Sequence, residues 1–216
     1  MPMSIVVGVP LGLVWGFMAD RIAARWPAHE DGRIRPIDWR TPVVAIAGAL
    51  AGSLVVDRFG SGDARQLALM AVEVLALVVL FATDLDQRLL PDVITFPLVG
   101  LALLAFAIGA GPYAHSVEDL AFAAVAAVVA PLVLYLVSIP FGAGAIGQGD
   151  LKLLVSVGLL GGPVRLFLGL VSGAIVAAVA IVVLIALRRI TLRTYVPYGP
   201  FLIAGAIWAL LSVMET

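Results

Sequence analysis

Apolar runs approaching 20 residues recur from one end of this chain to the other, and that property confines it to a membrane architecture. A helix needs about 20 predominantly apolar residues to cross a hydrocarbon core of about 30 Å. Composition agrees: 62% of the 216 residues are hydrophobic and 12% are charged. The mean hydropathy is +1.14, whereas soluble domains carry about 25% charged residues. A soluble enzyme is therefore excluded. The net charge of −1 offers no nucleic-acid surface, because the charges sit in short loops between apolar spans. No nucleic-acid partner is expected, and membrane lipid is.

The chain has no cysteine, which removes disulfides, thiolate catalysis and cysteine-held zinc. Its two histidines, His29 and His115, fall in different loops, so no metal site is expected. The first apolar run, Met3 to Met18, has no basic stretch before it and no small-residue cleavage site after it. It reads as a retained first helix and not as a signal peptide.

Charges and Pro/Gly clusters divide the chain into apolar segments at 3–19, 42–56, 67–83, 93–110, 120–140, 150–163, 164–187 and 197–213. The expectation is an all-α bundle of about eight transmembrane helices in one membrane domain, 1–216. A short cytoplasmic loop lies at about 20–41. Segments two and six are short and are expected to extend into neighbouring loops or to lie beside protein. Gly161-Gly162-Pro163 separates segments six and seven, since proline cannot continue a helix and glycine weakens one. Were that break only a kink, the count would be seven. The alanine-rich stretch Ala121 to Ala130 reads as a closely packed helix.

Arginine and lysine placement predicts the topology. Eight spans put Arg21, Arg25, Arg33, Arg35, Arg40, Arg88, Lys152, Arg188, Arg189 and Arg193 on one side. Only Arg58, Arg65 and Arg165 fall on the other. The basic side is expected to be cytoplasmic, with both termini outside.

Two acidic sites interrupt the apolar background. Thr83-Asp84-Leu85-Asp86-Gln87-Arg88-Leu89-Leu90-Pro91-Asp92 joins segments three and four, and Gly147-Gln148-Gly149-Asp150-Leu151-Lys152 opens segment six. Ionisable residues at membrane depth are costly and mark function by default. The charge bias puts Asp84 and Asp150 at the same, cytoplasmic, helix ends. Two carboxylates that share one proton can hydrolyse a peptide bond. One takes a proton from an attacking water, and the other donates to the scissile carbonyl. Like charges a few Å apart cannot both ionise cheaply, so the pair supplies both roles near neutral pH and titrates as a unit. Gly147 and Gly149 would admit a close-lying substrate strand and leave backbone N–H groups beside Asp150. Phosphate cradling is disfavoured, because Asp150 would repel an anion and no lysine-serine pair follows.

Gly147–Asp150, followed by Leu151-Lys152-Leu153-Leu154, resembles the GxGD motif of the prepilin peptidases, or type IV leader peptidases. The first site is similar to that family's aspartate seven residues before a proline: Asp84 and Pro91, then Asp92-Val93-Ile94-Thr95-Phe96-Pro97-Leu98. Gly12 to Pro27 and Val196-Pro197-Tyr198-Gly199-Pro200-Phe201 resemble the family's amino-terminal and late Pro-Phe-Gly-Pro regions. The resemblance implies an intramembrane aspartyl peptidase of the inner (cytoplasmic) membrane. Asp84 and Asp150 would be catalytic. Gly147, Gly149, Lys152, Asp86, Pro91 and Asp92 would bind substrate or support the pair. The implied substrate is a prepilin or pseudopilin of a type IV pilus or type II secretion system, and proteolysis needs no cofactor.

The chain departs from the family pattern where members carry paired CxxC motifs, thought to hold zinc, in the first loop. Asp20 also stands where asparagine is usual, and the glutamate that usually follows an Arg-Tyr-Pro-like start of segment two is missing at Arg40-Thr41-Pro42. Those amino-terminal residues are associated with N-methylation. S-adenosylmethionine enters as a methyl donor only where that activity is retained.

Other polar residues have plainer readings. Asp92 suits the positive end of the next helix, and Asp86 suits a structural role. Lys152 suits interfacial snorkelling. Glu73, about three turns before Asp84, reads as a protonated or internally paired packing residue. A transporter or channel using acids in broken helices, or a pilus-assembly homologue that does not cleave, is the alternative function.

Overall fold

The computed structural model describes residues 3–29, 32–141, 146–191, 196 and 198–212. Arg193 and Pro197 of the sequence motifs lie outside them. Among the described residues the regular elements are all helical, and the chain is an all-α, polytopic membrane protein. A π-helical stretch, Ser4–Gly8, leads into α1 (Val9–Ala23), followed by α2 (Arg40–Phe59), α3 (Ala64–Gln87) and α4 (Asp92–Ala107). Then come α5 (Val117–Ser138), with a 3₁₀ turn at Ile139–Phe141, α6 (Gln148–Ala186) and α7 (Gly199–Leu211). The stretch Ser4–Ala23 and helices α2, α3, α5 and α6 are long and apolar enough to cross a membrane; α4 and α7 are shorter apolar helices.

Local chemistry sets the helix ends. Asp63 caps α3 by accepting from the Arg65 N–H at 2.9 Å. Arg88 closes α3 in the left-handed region at φ 57°. Extended Pro91 precedes α4 and puts Asp92 in its first turn. Ser116 and Asp119 form a reciprocal capping box on α5. Segment two, short in the sequence, reaches 20 residues by extending into both flanking loops.

Gly162 decides the helix count. Its φ of 71° and ψ of −178° interrupt α6. A Cβ built on Gly158 would lie 3.0 Å from the Leu166 Cδ2. Eight residues of straight helix would separate the two positions by about 12 Å. The helix therefore turns back on itself, with arms 148–161 and 163–186. Among the described residues seven helices thus cover the eight apolar segments read from the sequence, segments six and seven being the two arms of α6.

Contacts tie each end of the bundle together. At one end Gln87 donates to the Pro27 carbonyl at 2.7 Å, and Lys152 reaches Asp92 at 2.7 Å. At the other, the Tyr113 hydroxyl donates to the Leu210 carbonyl and Arg165 to Ala209. Between them Leu77, Leu80, Leu153, Leu202, Ile203 and Leu210 are fully buried. Ala123 and Ala127 turn the alanine-rich face of α5 inward, where Ala127 meets Gly158 of α6.

Helices α1 and α2 approach backbone to backbone. A Cβ on Gly12 would come within 2.8 Å of the Gly48 carbonyl carbon, whereas one on Gly100 in α4 would meet nothing within 4 Å. Close approach of small residues is how helices associate where lipid removes the hydrophobic drive. Gly12→Val is expected to cost about 1–3 kcal/mol through overpacking. Gly100→Ala is expected to be neutral or to stabilise by up to about 1 kcal/mol. Thermal unfolding of the detergent-solubilised protein checks both.

Candidate active site

Asp84 lies in the last turn of α3 and is 6% exposed. Asp150 is the third residue of α6, whose N-cap is Gly147. A carboxylate there is favoured by the free amides and partial positive charge of a helix N-terminus. The two carboxylates are close enough for their charges to act on each other. Asp84 Oδ2 and Asp150 Oδ1 are both buried and have no hydrogen-bond partner among the described residues. Buried carboxylate oxygens without donors are expensive, which makes the pair a candidate for chemistry.

The glycines of the second acidic stretch explain how the two ends meet. A Cβ on Gly149 would fall 2.6 Å from the Leu90 Cβ, so only glycine lets the turn after α3 lie against the start of α6. A Cβ on Gly147 would stand 3.0 Å from Asp150 Oδ2. Pro91 then directs the chain into α4. Lys152 bonds Asp92 at 2.7 Å and lies 5.0 Å from the Phe96 ring centroid, fastening α6 to α4. The snorkelling expected of Lys152 gives way to this pairing, because Asp92 in the first turn of α4 lies within its reach.

Asp86 and Asp20 belong to a second network. Asp86, its side chain 3% exposed, is contacted by Arg35 at 2.8 Å, His29 at 3.1 Å and Arg40 at 3.7 Å. Fully buried Asp20 pairs with Arg35 and with Arg21 at 2.6 Å, and accepts from Thr41 at 2.7 Å. Burial opposes the Arg35 charge, but bonding to Asp20 and the fields of Asp86 and Asp38 more than offset it and hold its pKa above the usual value. This network clamps His29 and Arg35, between α1 and α2, onto the end of α3, two residues from Asp84. Glu73 is fully buried with no hydrogen-bond partner among the described residues. Eleven residues before Asp84, it lies on nearly the same helix face. An apolar groove of about 520 Å³ between α1, α2 and α3 is lined by no titratable side chain and is not this site.

The start of α7 was missing from the residues singled out for the site. A Cβ on Gly199 would lie 2.7 Å from the Asp84 Cγ, so the helix N-terminus sits against that carboxyl group. Burial and the neighbouring Asp150 carboxylate push the Tyr198 phenol up. The signal in the sequence was Gly199-Pro200, a glycine and an N-terminal proline opening a helix.

The fold and site together define a polytopic helical membrane protein in which a buried carboxylate at the end of one helix and a half-buried one at the start of another lie near enough for their charges to interact. The chain matches the type IV leader peptidase family over residues 71–186, more than half its length and including both aspartates. It is 34% identical over 169 residues to the prepilin leader peptidase/N-methyltransferase of Pseudomonas aeruginosa, covering 77% of this chain and 56% of that protein. The protein of the same name from Stutzerimonas stutzeri is 33% identical over 172 residues, covering 78% of this chain and 57% of its own. That of Aeromonas hydrophila is 32% identical over 209 residues, covering 94% and 66%. The chain belongs to the type IV leader peptidase family. It spans little more than half the length of the first two relatives. No solved structure matches it.

Proposed function

We propose that the chain is an aspartyl endopeptidase that removes the basic leader from type IV prepilin-like or pseudopilin precursors at the cytoplasmic face of the inner membrane. The observation that carries this reading is the pair Asp84 and Asp150, each with a buried oxygen that accepts no hydrogen bond among the described residues. Such a pair can hold a water, take its proton and donate another to the scissile carbonyl, with the acid and base roles belonging to the pair. Gly147 and Gly149 bring the start of α6 against the loop after α3, and Lys152 with Asp92 holds that junction. Pro91 sets the direction of α4.

Ten basic residues toward the carboxylate end against three elsewhere support a cytoplasmic site, with both chain ends on the opposite side. The substrate's apolar helix would stay in the bilayer while its leader met the dyad. The nearby acids do not form a free receptor for basic residues, since Asp86 is already paired with Arg35, and Asp92 with Lys152. Leader selection in this reading rests on position at the membrane border more than on an open acidic patch.

Methylation, part of the relatives' names, is left out of this proposal. Asp20, in the amino-terminal region that the resemblance connects with it, has both oxygens engaged by Arg21, Arg35 and Thr41. That region therefore presents no free carboxylate to S-adenosylmethionine.

Co-expression with a prepilin tests the peptidase reading. Wild type should shorten the precursor, and Asp84→Asn or Asp150→Asn should leave it full length. An uncut precursor with wild type would favour a transporter or a non-cleaving assembly homologue.

A further inference from the structure

At the end of the bundle opposite Asp84 and Asp150, a cleft of about 490 Å³ opens between the α4–α5 loop, α5 and the bend of α6. Two of the three basic residues that the sequence assigns to this end, Arg58 and Arg165, line it together with Tyr113 and His115. Arg165 is 7% exposed and rigidly held. Its Nη1 donates to the Ala209 and Ser212 carbonyls at 2.6 and 3.0 Å, and its guanidinium carbon lies 3.8 Å from the Tyr113 ring centroid. Arg58 lines the same cleft as Tyr113. The two guanidinium groups share one cleft, yet neither has a carboxylate partner among the described residues.

Arg165 is buried without a carboxylate beside it among the described residues, a cost that an anion shared with the exposed Arg58 would offset. Arg165 has five N–H donors, and the carbonyls use only Nη1. Asp119 also lines the cleft, but its Oδ2 accepts from the His115 and Ser116 amides at 3.0 and 2.9 Å. Exposed Phe122 and Val164 flank the opening with apolar surface. The geometry points to a phosphate-binding cleft that holds the anionic headgroup of a phospholipid, its acyl chains lying along α5 and the second arm of α6. Planar guanidinium forks match phosphate geometry.

The test measures lipid retention by native mass spectrometry, and thermal unfolding, on the full chain in detergent. Phosphatidylglycerol and inorganic phosphate are the probes, on wild type, Arg58→Gln and Arg165→Lys. Wild type should retain phosphatidylglycerol about tenfold better than Arg58→Gln, the loss expected when a charge-assisted hydrogen bond goes. Arg165→Lys, which keeps the charge but not the fork, should fall between them. If inorganic phosphate alone raises the unfolding temperature of wild type but not of Arg58→Gln, and no lipid is retained, the cleft binds free phosphate and the headgroup assignment is wrong. Equal lipid retention and equal phosphate response in all three proteins would overturn the site altogether. Arg58 is exposed at the end of α2, so its variant stays informative even if changes at buried Arg165 impair folding.

Discussion

Asparagine at position 84 or at position 150 is expected to slow leader removal by about 10²–10⁴-fold, the contribution of a positioned proton-transfer group. Each change keeps the size of the side chain and removes its ability to carry or surrender a proton. The two residues act as one unit, so the double variant should be little worse than either single one. Multiplicative losses would instead indicate two independent roles. Rates of precursor shortening with purified proteins make the comparison. Equal unfolding temperatures would show that the loss is chemical, and removing either charge should if anything relieve the burial of the pair.

Gly199→Ala should be the next most damaging small change. It adds one methyl group at the start of α7, where its carbon would fall within 2.7 Å of the Asp84 Cγ. Either Asp84 moves or α7 does, and a displacement of about 1 Å can cost about 10²-fold in rate. The expected signature is a large fall in kcat with a small change in KM, because the reacting group is misplaced while the substrate's apolar helix still docks. Stability should change little, since the end of α7 nearest the site carries the strain and its body stays packed against α6. Wild-type kcat in this variant would show that α7 lies further from the working carboxylate than the structure places it.

The spans were legible because a membrane helix must be apolar over its whole crossing, and all seven helices lie close to the segments read from hydropathy. The carboxylate pair was legible too, because few acids survive at the edges of such segments. Relations that depend on distant parts of the chain were not. The Gly161-Gly162-Pro163 break was legible, and the eight-span topology required a reversal there; that Gly162 alone of the three carries the positive φ was not. The meeting of Gly199 with Asp84 joins residues on different helices, and no local pattern encodes it. Arg21 and Arg35 read as orientation signals, yet they bind Asp20, and Arg35 also binds Asp86. Counting basic residues gives their side of the membrane but not their partners. Lys152 and Asp92 each had a sensible local explanation, and their bond to each other replaced one of them.

The most direct test of the central claim is an intact-mass measurement of a prepilin incubated with the purified chain in liposomes, with Asp150→Asn as the parallel sample. The account predicts two products from wild type, the leader and the shortened pilin, their masses summing to the precursor plus one water, and only the precursor from the variant. An unchanged precursor with wild type, or the same products from Asp150→Asn, would contradict it.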